Sequence, residues 1–559
     1  MKNPELLSPC GSPETLQAAV KGGADAVYLG GNLFNARMNA KNFDDNQIKE
    51  AVSFSHENGV RVYITLNTLL TDRELKKALR YVSFLYSNGV DALITADLGL
   101  TAAIHRYFPD FELHASTQAC GHSTDGAKMF ADLGFSRMVA ARELNQDALA
   151  LLAKESPIEI EMFVHGAICV SHSGQCLMSS VIGERSGNRG LCAQPCRLPY
   201  NGHYPLSIKD MCLADHMQDI LTMNIAALKI EGRMKPPGYV YGVTSIYRRL
   251  LDERRNATPD EIAYLAALFS RSGFTSGYFT GNMTKSMLGI RREEDKNAKI
   301  PPMPDVIFEK KEKIVLPART HVLPEFISCK KPITKERFVK SARYAHANQI
   351  VNCEDLDIRY LPLDKFVKGK ANGLIMPYPV LDKEKDKVLK QVDIAIQNGA
   401  CHALITHLGQ IPWFIGKECT LHGDYRLNIT NGESACQYER LEDVILSPEL
   451  TLPQIRDMHF AKSTIIYGHL PLMTLEKPVE EPHLKDRRGV VFPLVRAGGR
   501  DVVLNSVPVY MLDKKAALKK AGGGVHLMFI RETPQEVKQI MKAFHEGLPP
   551  QTDIKRMKE

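Results

Sequence analysis

Residues 5–30 read ELLSPCGSPETLQAAVKGGADAVYLG. Two short apolar runs, Glu5-Leu6-Leu7 and Asp25 to Gly30, flank a helix signal. Ser12 stands at the N-cap, Pro13 at the first helical position, and the helix reads on to Gly22. Strand, helix and strand in so short a span make a βαβ unit. The pattern recurs. Strand-like runs follow at Arg61–Asn67, Asp91–Ala96, Glu112–Ser116, Arg137–Ala140, Ile158–Val164 and Ala226–Ile230. Helical patterns separate the early ones, at Asp45–Asn58, Asp72–Asn88 and Gly99–Tyr107. The strands are continuously apolar, which suits a parallel sheet covered on both faces. Eight such units in about 250 residues predict an α/β fold, a (β/α)8 barrel of TIM type. A doubly wound open sheet would show a Gly-rich phosphate loop after its first strand, and none stands there.

A chain of 559 residues is too long for one core. Its 44% hydrophobic and 24% charged content is ordinary for soluble globular protein. No apolar run approaches the ~20 residues of a membrane helix. The N-terminal residues lack the basic and apolar regions of a signal peptide. The expected compartment is therefore the cytoplasm, with no membrane partner. A net charge of +7 permits a nucleic-acid partner without requiring one.

Four of the twelve cysteines, Cys169, Cys176, Cys192 and Cys196, fall in one loop-rich stretch after the seventh strand. In a reducing compartment a clustered set points to metal binding or catalysis rather than to disulfides. The wide first spacing lacks the paired knuckles of structural zinc. Thiolates from a strand end and two loops favour a [4Fe–4S] cluster; zinc, and plain core or redox thiols, stay open. A catalytic Cys–His pair is also conceivable, because His165 and His172 flank Cys169, although no GxSxG or HExxH motif occurs. The scattered Cys10, Cys120, Cys329, Cys353, Cys401, Cys419 and Cys436 read as small buried residues.

A TIM barrel carries its chemistry at the C-terminal ends of its strands. The polar residues expected there are Asp97 and Glu143, with nine candidate ligand contacts: Arg37, Asn67, His114, Gln118, Arg142, His165, Lys229, Glu231 and Arg233. Each alone reads as readily as a loop anchor. Together, Arg37, Arg142, Lys229 and Arg233 around one mouth suggest a small anionic ligand.

The second half repeats the first in worn form. Asn88–Thr95 resembles Asn398–Thr406, Leu98-Gly99 resembles Leu408-Gly409, Leu113-His114 resembles Leu421-His422, and Ala26–Phe34 resembles Ile358–Phe366. Asn188–Arg197 aligns without gaps on Arg487–Arg496, placing Val491 and Val495 opposite Cys192 and Cys196. One metal centre is therefore expected, in the first half, with the valines read as core. The predicted organisation is a TIM-barrel domain over 1–260 with the four-cysteine site and an extended arm and linker over 261–320. A shorter, incomplete barrel-like domain over 321–515 and a helical extension over 516–559 follow.

ELLSPCGSPETLQAAVKGGADAVYLGG, EMFVHGAICVSHSGQCLMSS (161–180), NRGLCAQPCRLPY (188–200) and KIEGRMK (229–235) resemble the collagenase-like peptidase U family 32 over the first ~290 residues. LHGDYRLN (421–428) and LSPELTLPQIRDM (446–458) resemble its longer bacterial members. The resemblance implies Cys169, Cys176, Cys192 and Cys196 as ligands of a [4Fe–4S] cluster, with Cys212 as understudy to Cys196. It implies oxygen-independent, prephenate-dependent hydroxylation of an RNA base, either the wobble uridine of tRNA or a cytidine of large-subunit rRNA. RNA and a small dicarboxylate are then the expected partners, with an accessory protein as a further one. Members called collagenases keep a peptidase open, and a non-catalytic partner subunit is a third reading.

Overall fold

The computed structural model describes residues 3–292 and 338–549 except 352–354, together with 295, 300, 302–304, 311–320, 325–326 and 554. Its frame is a pair of closed parallel barrels. In the first, β1 (Glu5–Pro9), β2 (Ala26–Leu29), β3 (Arg61–Leu66), β4 (Ala92–Thr95), β5 (Glu112–Ala115), β6 (Arg137–Val139) and β7 (Glu159–Gly166) pair in sequence order. A short strand, β8 (Asp210–Cys212), hangs antiparallel on the end of β7. β9 (Ala227–Ile230) then pairs with both β7 and β1 and shuts the eight-stranded ring. The helices between are set by their caps. Ser12 accepts from Thr15 N at 3.4 Å ahead of Pro13–Lys21. Asp44 accepts from Asn46 N and Gln47 N at 3.0 and 2.8 Å ahead of Asp45–Glu57. Asp72–Ser87 buries Leu75, Ala78, Leu79, Val82, Leu85 and Tyr86, one stripe at helical spacing laid on the sheet.

After β10 (Phe274–Thr275), which pairs with β8, the second ring begins. β11 (Lys340–Tyr344), β12 (Ile358–Pro362), β13 (Gly373–Ile375), β14 (His402–Ile405), β15 (Thr420–Gly423), β16 (Leu441–Ile445) and β17 (Lys462–Gly468) pair in order. β18 (Pro471–Leu475), β19 (His483–Lys485), β20 (Val491–Ala497) and β21 (Arg500–Leu504) form a separate antiparallel sheet inserted after the seventh strand. β22 (Val509–Tyr510) leads back, and β23 (Gly524–Phe529) closes the ring between β17 and β11. The second barrel is thus complete, not truncated. Its eighth strand lies beyond residue 515, inside the stretch expected to be a helical extension, because the inserted sheet separates it from the seventh. The expected arm is also more ordered at its start, with a helix at Pro259–Leu268 and a four-residue helix at Gly277–Thr280. Much of the linker, with Pro301, lies outside the described residues, as do Cys329 and Cys353 beyond it.

The repeat extends to how the halves meet. The helix after β4 (Leu98–Tyr107) packs on the helix after β15 (Gly432–Cys436), and the helix after β5 (Thr124–Asp132) packs on the 3-10 turns after β14 (Leu408–Phe414). Fourth meets fifth and fifth meets fourth, which is the pattern of a two-fold interface within one chain. Helix N-termini follow strand C-terminal ends, so the active faces of the two barrels are turned toward each other. Buried Asp97 ties the joint together. It accepts from Leu70 N and Leu100 N at 2.9 and 3.0 Å in its own barrel, and from Asn431 Nδ2 and Ser434 Oγ at 2.8 and 3.1 Å in the other. The paired glycines of the repeat, Gly99 and Gly409, sit at the two closest approaches. A Cβ on Gly99 would lie 2.3 Å from Asn431 Oδ1 and 2.6 Å from Ser434 N, and one on Gly409 would lie 2.7 Å from Gly126 N.

An open helix gains about 1 kcal/mol from Gly→Ala. Gly99→Ala is expected to do the opposite here, costing about 2 kcal/mol as the joint opens, read as a lower midpoint in differential scanning calorimetry. A raised midpoint would mean the barrels do not meet there.

Candidate active site

The interior of the first barrel is polar for a TIM core. Leu7, Ala26, Tyr28, Tyr63, Ala92 and Ile94 form an inner apolar cluster. Alongside them stand buried charges. Glu161, with no exposed surface, accepts from Lys229 Nζ at 2.6 Å and lies 3.4 Å from Arg137 Nη1. Arg137 also reaches Glu5 at 2.8 Å. Charges without water are tolerated because each meets an opposite one.

Above this column the mouth opens as a narrow pocket of about 40 Å3, lined among others by Tyr28, Arg37, Asn67, Ser116, Gln118, Arg142, Phe163, Lys229, Glu231 and Arg233. Seven of the nine candidate contacts expected there from the sequence therefore come together. Arg37 Nη2 lies 3.2 Å from Glu231 Oε1, which raises the Arg37 pKa. Burial alone would raise Glu231's, but Arg37 and Arg142 together hold it below the usual carboxylate range. Arg233 donates only to neutral oxygens, those of Asn42, Thr65 and Asn35 at 2.6, 3.1 and 3.3 Å, and burial brings its pKa down to about 10. Lys229 lies over the Tyr28 ring at 4.5 Å, and Arg142 over the Phe163 ring at 5.1 Å. Asn67 accepts from Ala36 N at 2.9 Å, holding the loop that carries Arg37. Four cations face two carboxylates, Glu161 and Glu231, so the mouth keeps an excess of positive charge.

The other two residues sit elsewhere. His114 points into the barrel below the mouth, edge-on to Tyr63, with Nε2 2.8 Å from Glu112 Oε1. His165 faces the outer helix layer among Tyr239, Tyr247 and Phe274, and burial pulls its pKa down to about 3. Strand alternation would have turned it inward after Glu161 and Phe163. A register shift between Phe163 and His165 reverses it. Tyr28 and Phe163 were missed as lining residues and Glu161 as the charge beneath them, although counting every second residue inward from the strand ends would have found all three.

Cys169, the first of the four thiols, borders this mouth. Arg142 Nη1 lies 3.6 Å from Cys169 Sγ. Desolvation raises the pKa of half-buried Cys176, and Cys196, Cys192 and Cys169 raise it further, so the four share one electrostatic neighbourhood. Among the described residues no group of three or more His, Cys, Asp or Glu is arranged to hold a single metal ion. Cys212 is apart from them, buried against the Tyr247 hydroxyl at 3.8 Å. Cys10, Cys120 and Cys436 are buried as expected, whereas Cys401 is exposed and Cys419 half-buried, since both precede strands at the open end of the second barrel. The Asn188–Arg197 loop has no structural counterpart at Arg487–Arg496. The latter includes strand β20, and Val491 is 40% exposed rather than core.

The loop bearing Cys169 and Cys176 is pinned by the second barrel. His172 N donates to Thr474 O at 2.9 Å and Leu177 N to Leu472 O at 2.8 Å, extending the edge of β18. Gln175 Nε2 donates to Arg426 O at 3.0 Å and Asn428 Nδ2 to Gly174 O at 3.1 Å. The His172 ring lies between Glu143 of the first barrel and Glu476 of the second, at 3.2 and 3.0 Å. Burial would lower its pKa, but the two carboxylates hold it raised. Glu143 is correspondingly held down to about 2, burial notwithstanding. Gly174, at φ 74°, passes so close to Gln118 that a Cβ would lie 2.3 Å from its carbonyl oxygen. Glu476 had no signal in the sequence, because its partner is 304 residues away.

Lys229→Met is expected to cost about 3 kcal/mol, because it leaves Glu161 buried with half its pairing. Adding Glu161→Gln should recover much of that loss in the same chemical denaturation series. A single-variant cost below about 1 kcal/mol would mean the column is not charged as drawn.

The family model described as Peptidase family U32 matches residues 11–288. The "23S rRNA 5-hydroxycytidine C2501 synthase" of Escherichia coli is 40% identical over 293 residues, covering 50% of this chain and 43% of that protein. The "tRNA hydroxylation protein P1" of Bacillus subtilis is 35% identical over 268 residues, 45% of this chain and 64% of that one. The "Collagenase" of Porphyromonas gingivalis is 32% identical over 311 residues, 50% of this chain and 73% of that one. The chain thus spans less than two thirds of the first two relatives. Together with the barrel and the thiol-bordered mouth, these likenesses show that the chain belongs to peptidase family U32.

Proposed function

We propose that the chain is an RNA-base hydroxylase that works without molecular oxygen, with an iron–sulfur cluster on Cys169, Cys176, Cys192 and Cys196 and a prephenate-like dicarboxylate in the mouth. The observation that carries the reading is the contact of Arg142 with Cys169 at 3.6 Å, which joins a cationic pocket to a set of four thiols. The donor chemistry fits. Four thiols share one electrostatic neighbourhood, and thiolates are the ligands that iron–sulfur clusters take. Such a cluster would supply one-electron chemistry when bound. The protein's part is positioning. Arg37, Arg142, Lys229 and Arg233 would orient two carboxylates by charge-assisted hydrogen bonds, and Tyr28 and Phe163 would line the apolar side of the pocket. A base turned out of its RNA would enter from the rim. The relatives named for rRNA and tRNA hydroxylation support this substrate class.

The peptidase reading rests on the relative named collagenase. Neither histidine beside Cys169 in sequence supports it, since His165 Nδ1 faces the Tyr247 hydroxyl at 3.4 Å and His172 is held by two carboxylates.

The anaerobically purified full chain is expected to carry about four iron and four acid-labile sulfide per chain, lost in Cys169→Ser and Cys192→Ser. Nucleoside mass spectrometry of RNA from a deletion strain should lack one hydroxylated base. Arg142→Glu should fail to restore it while retaining iron. Unchanged RNA hydroxylation in the deletion strain would overturn the reading, and activity only after addition of a second protein would make the chain a supporting subunit.

A further inference from the structure

Beside the thiol loop, three places in the chain set a cation next to an exposed apolar residue: Arg197-Leu198, Met234-Lys235 and Ile290-Arg291. Leu198, Met234 and Ile290 are 47%, 59% and 37% exposed. A lone exposed apolar side chain is ordinary. Three that each neighbour a cation, on segments gathered beside one mouth, are not.

The cations converge on a single ring. Lys235 Nζ lies 2.5 Å from the centroid of Phe269, with the guanidinium carbons of Arg291 and Arg271 at 4.8 and 5.3 Å. Arg197 is near enough to Arg271 to oppose its charge. Little offsets this. Arg271 is paired with Asp210. Arg197 donates only to neutral oxygens, Ser207 Oγ at 3.3 Å, Ile168 O at 3.2 Å and Ile208 O. Arg291 Nη2 donates to the backbone oxygen of Asp295 at 3.1 Å, and the Asp295 carboxylate accepts the Arg292 N–H at 2.8 Å. Glu231, which attracts Lys235, is committed to Arg37. Burial, with Arg291 adding to it, draws the Lys235 pKa down to about 6. The lysine therefore gives up its proton readily while the site is empty, and a multivalent anion seated beside it would draw the proton back and pair with the restored charge.

We propose that Arg197, Lys235, Arg271 and Arg291 form a phosphate-binding rim that seats the backbone of the substrate RNA, with Leu198, Met234 and Ile290 supporting its unstacked bases. The assignment rests on the RNA-hydroxylase reading. It differs from the mouth itself, which takes the small ligand and the reacting base. A free phosphate or a dicarboxylate would use the cations and leave the apolar partners unexplained. Single-stranded RNA uses both, since cations track its backbone and apolar surface stacks its bases.

The test is fluorescence anisotropy of a labelled mixed-sequence RNA hairpin with the full chain, titrated at several salt concentrations. Lys235→Gln and Arg291→Gln should each lower the slope of log K against log salt by about one, and the pair should weaken binding about ten-fold or more. Met234→Ser with Leu198→Ser should weaken binding at unchanged slope. Lys154→Gln, at a side chain 79% exposed on another helix, should change nothing, and retained iron and melting midpoint would certify the fold of each variant. Three results would overturn the rim: unchanged slopes in Lys235→Gln and Arg291→Gln, no binding of the hairpin by the unaltered chain, or full displacement of RNA by millimolar inorganic phosphate at matched ionic strength. None of these decides the hydroxylase reading, which stands or falls on the modified base in cellular RNA.

Discussion

The contact on which the rest of the molecule depends is the His172 ring held between Glu143 and Glu476. One carboxylate belongs to each barrel, and the histidine stands in the loop between Cys169 and Cys176. Burial disfavours the charged form of this ring, and the two carboxylates favour it, so each partner gains from the other. Around it the loop becomes an extra strand on the inserted sheet of the second barrel, through His172 and Leu177. The insertion of the second barrel carries no cysteine, and its part is mechanical. It grips the seventh-strand insertion of the first barrel.

This arrangement gives the mouth its character. Two barrels facing each other limit the approach to the strand ends, and the interior beneath sets a column of paired charges beside a small apolar cluster. Lys229 on β9 and Glu231 just past its end link the two levels: Lys229 reaches down to Glu161 and Glu231 across to Arg37. Any change in the column is therefore felt at the pocket. The excess of positive charge is local to the mouth and its rim, and a net charge of +7 over the whole chain conveys little of it.

The eight strands of the first barrel were legible because buried parallel strands are continuous apolar runs with capped helices between them. Ser12 and Pro13 alone mark the first helix. The second barrel was half legible. Its early strands match the first copy, but its eighth follows an inserted sheet that no repeat announces. Of the site, Arg37, Arg142, Lys229 and Arg233 could be placed by counting to strand ends. His165 could not, since a single register shift turned it outward and such a shift leaves no mark in composition. The gapless match of Asn188–Arg197 to Arg487–Arg496 misled, because Arg-Gly and a final Arg are too few residues to distinguish a loop from a strand. Glu476 and Asn431 act through pairings hundreds of residues apart, which periodicity does not encode.

The central claim is that the thiol loop stands at the mouth because the second barrel holds it there. Hydrogen–deuterium exchange of the peptide spanning residues 169–177, in the full chain and in Glu476→Leu combined with Asn428→Ala, tests it most directly. The account predicts protection like that of the barrel strands in the unaltered chain. In the variant, this peptide should exchange about ten-fold faster or more while β1 to β6 keep their protection. Equal exchange of residues 169–177 in both proteins would contradict it.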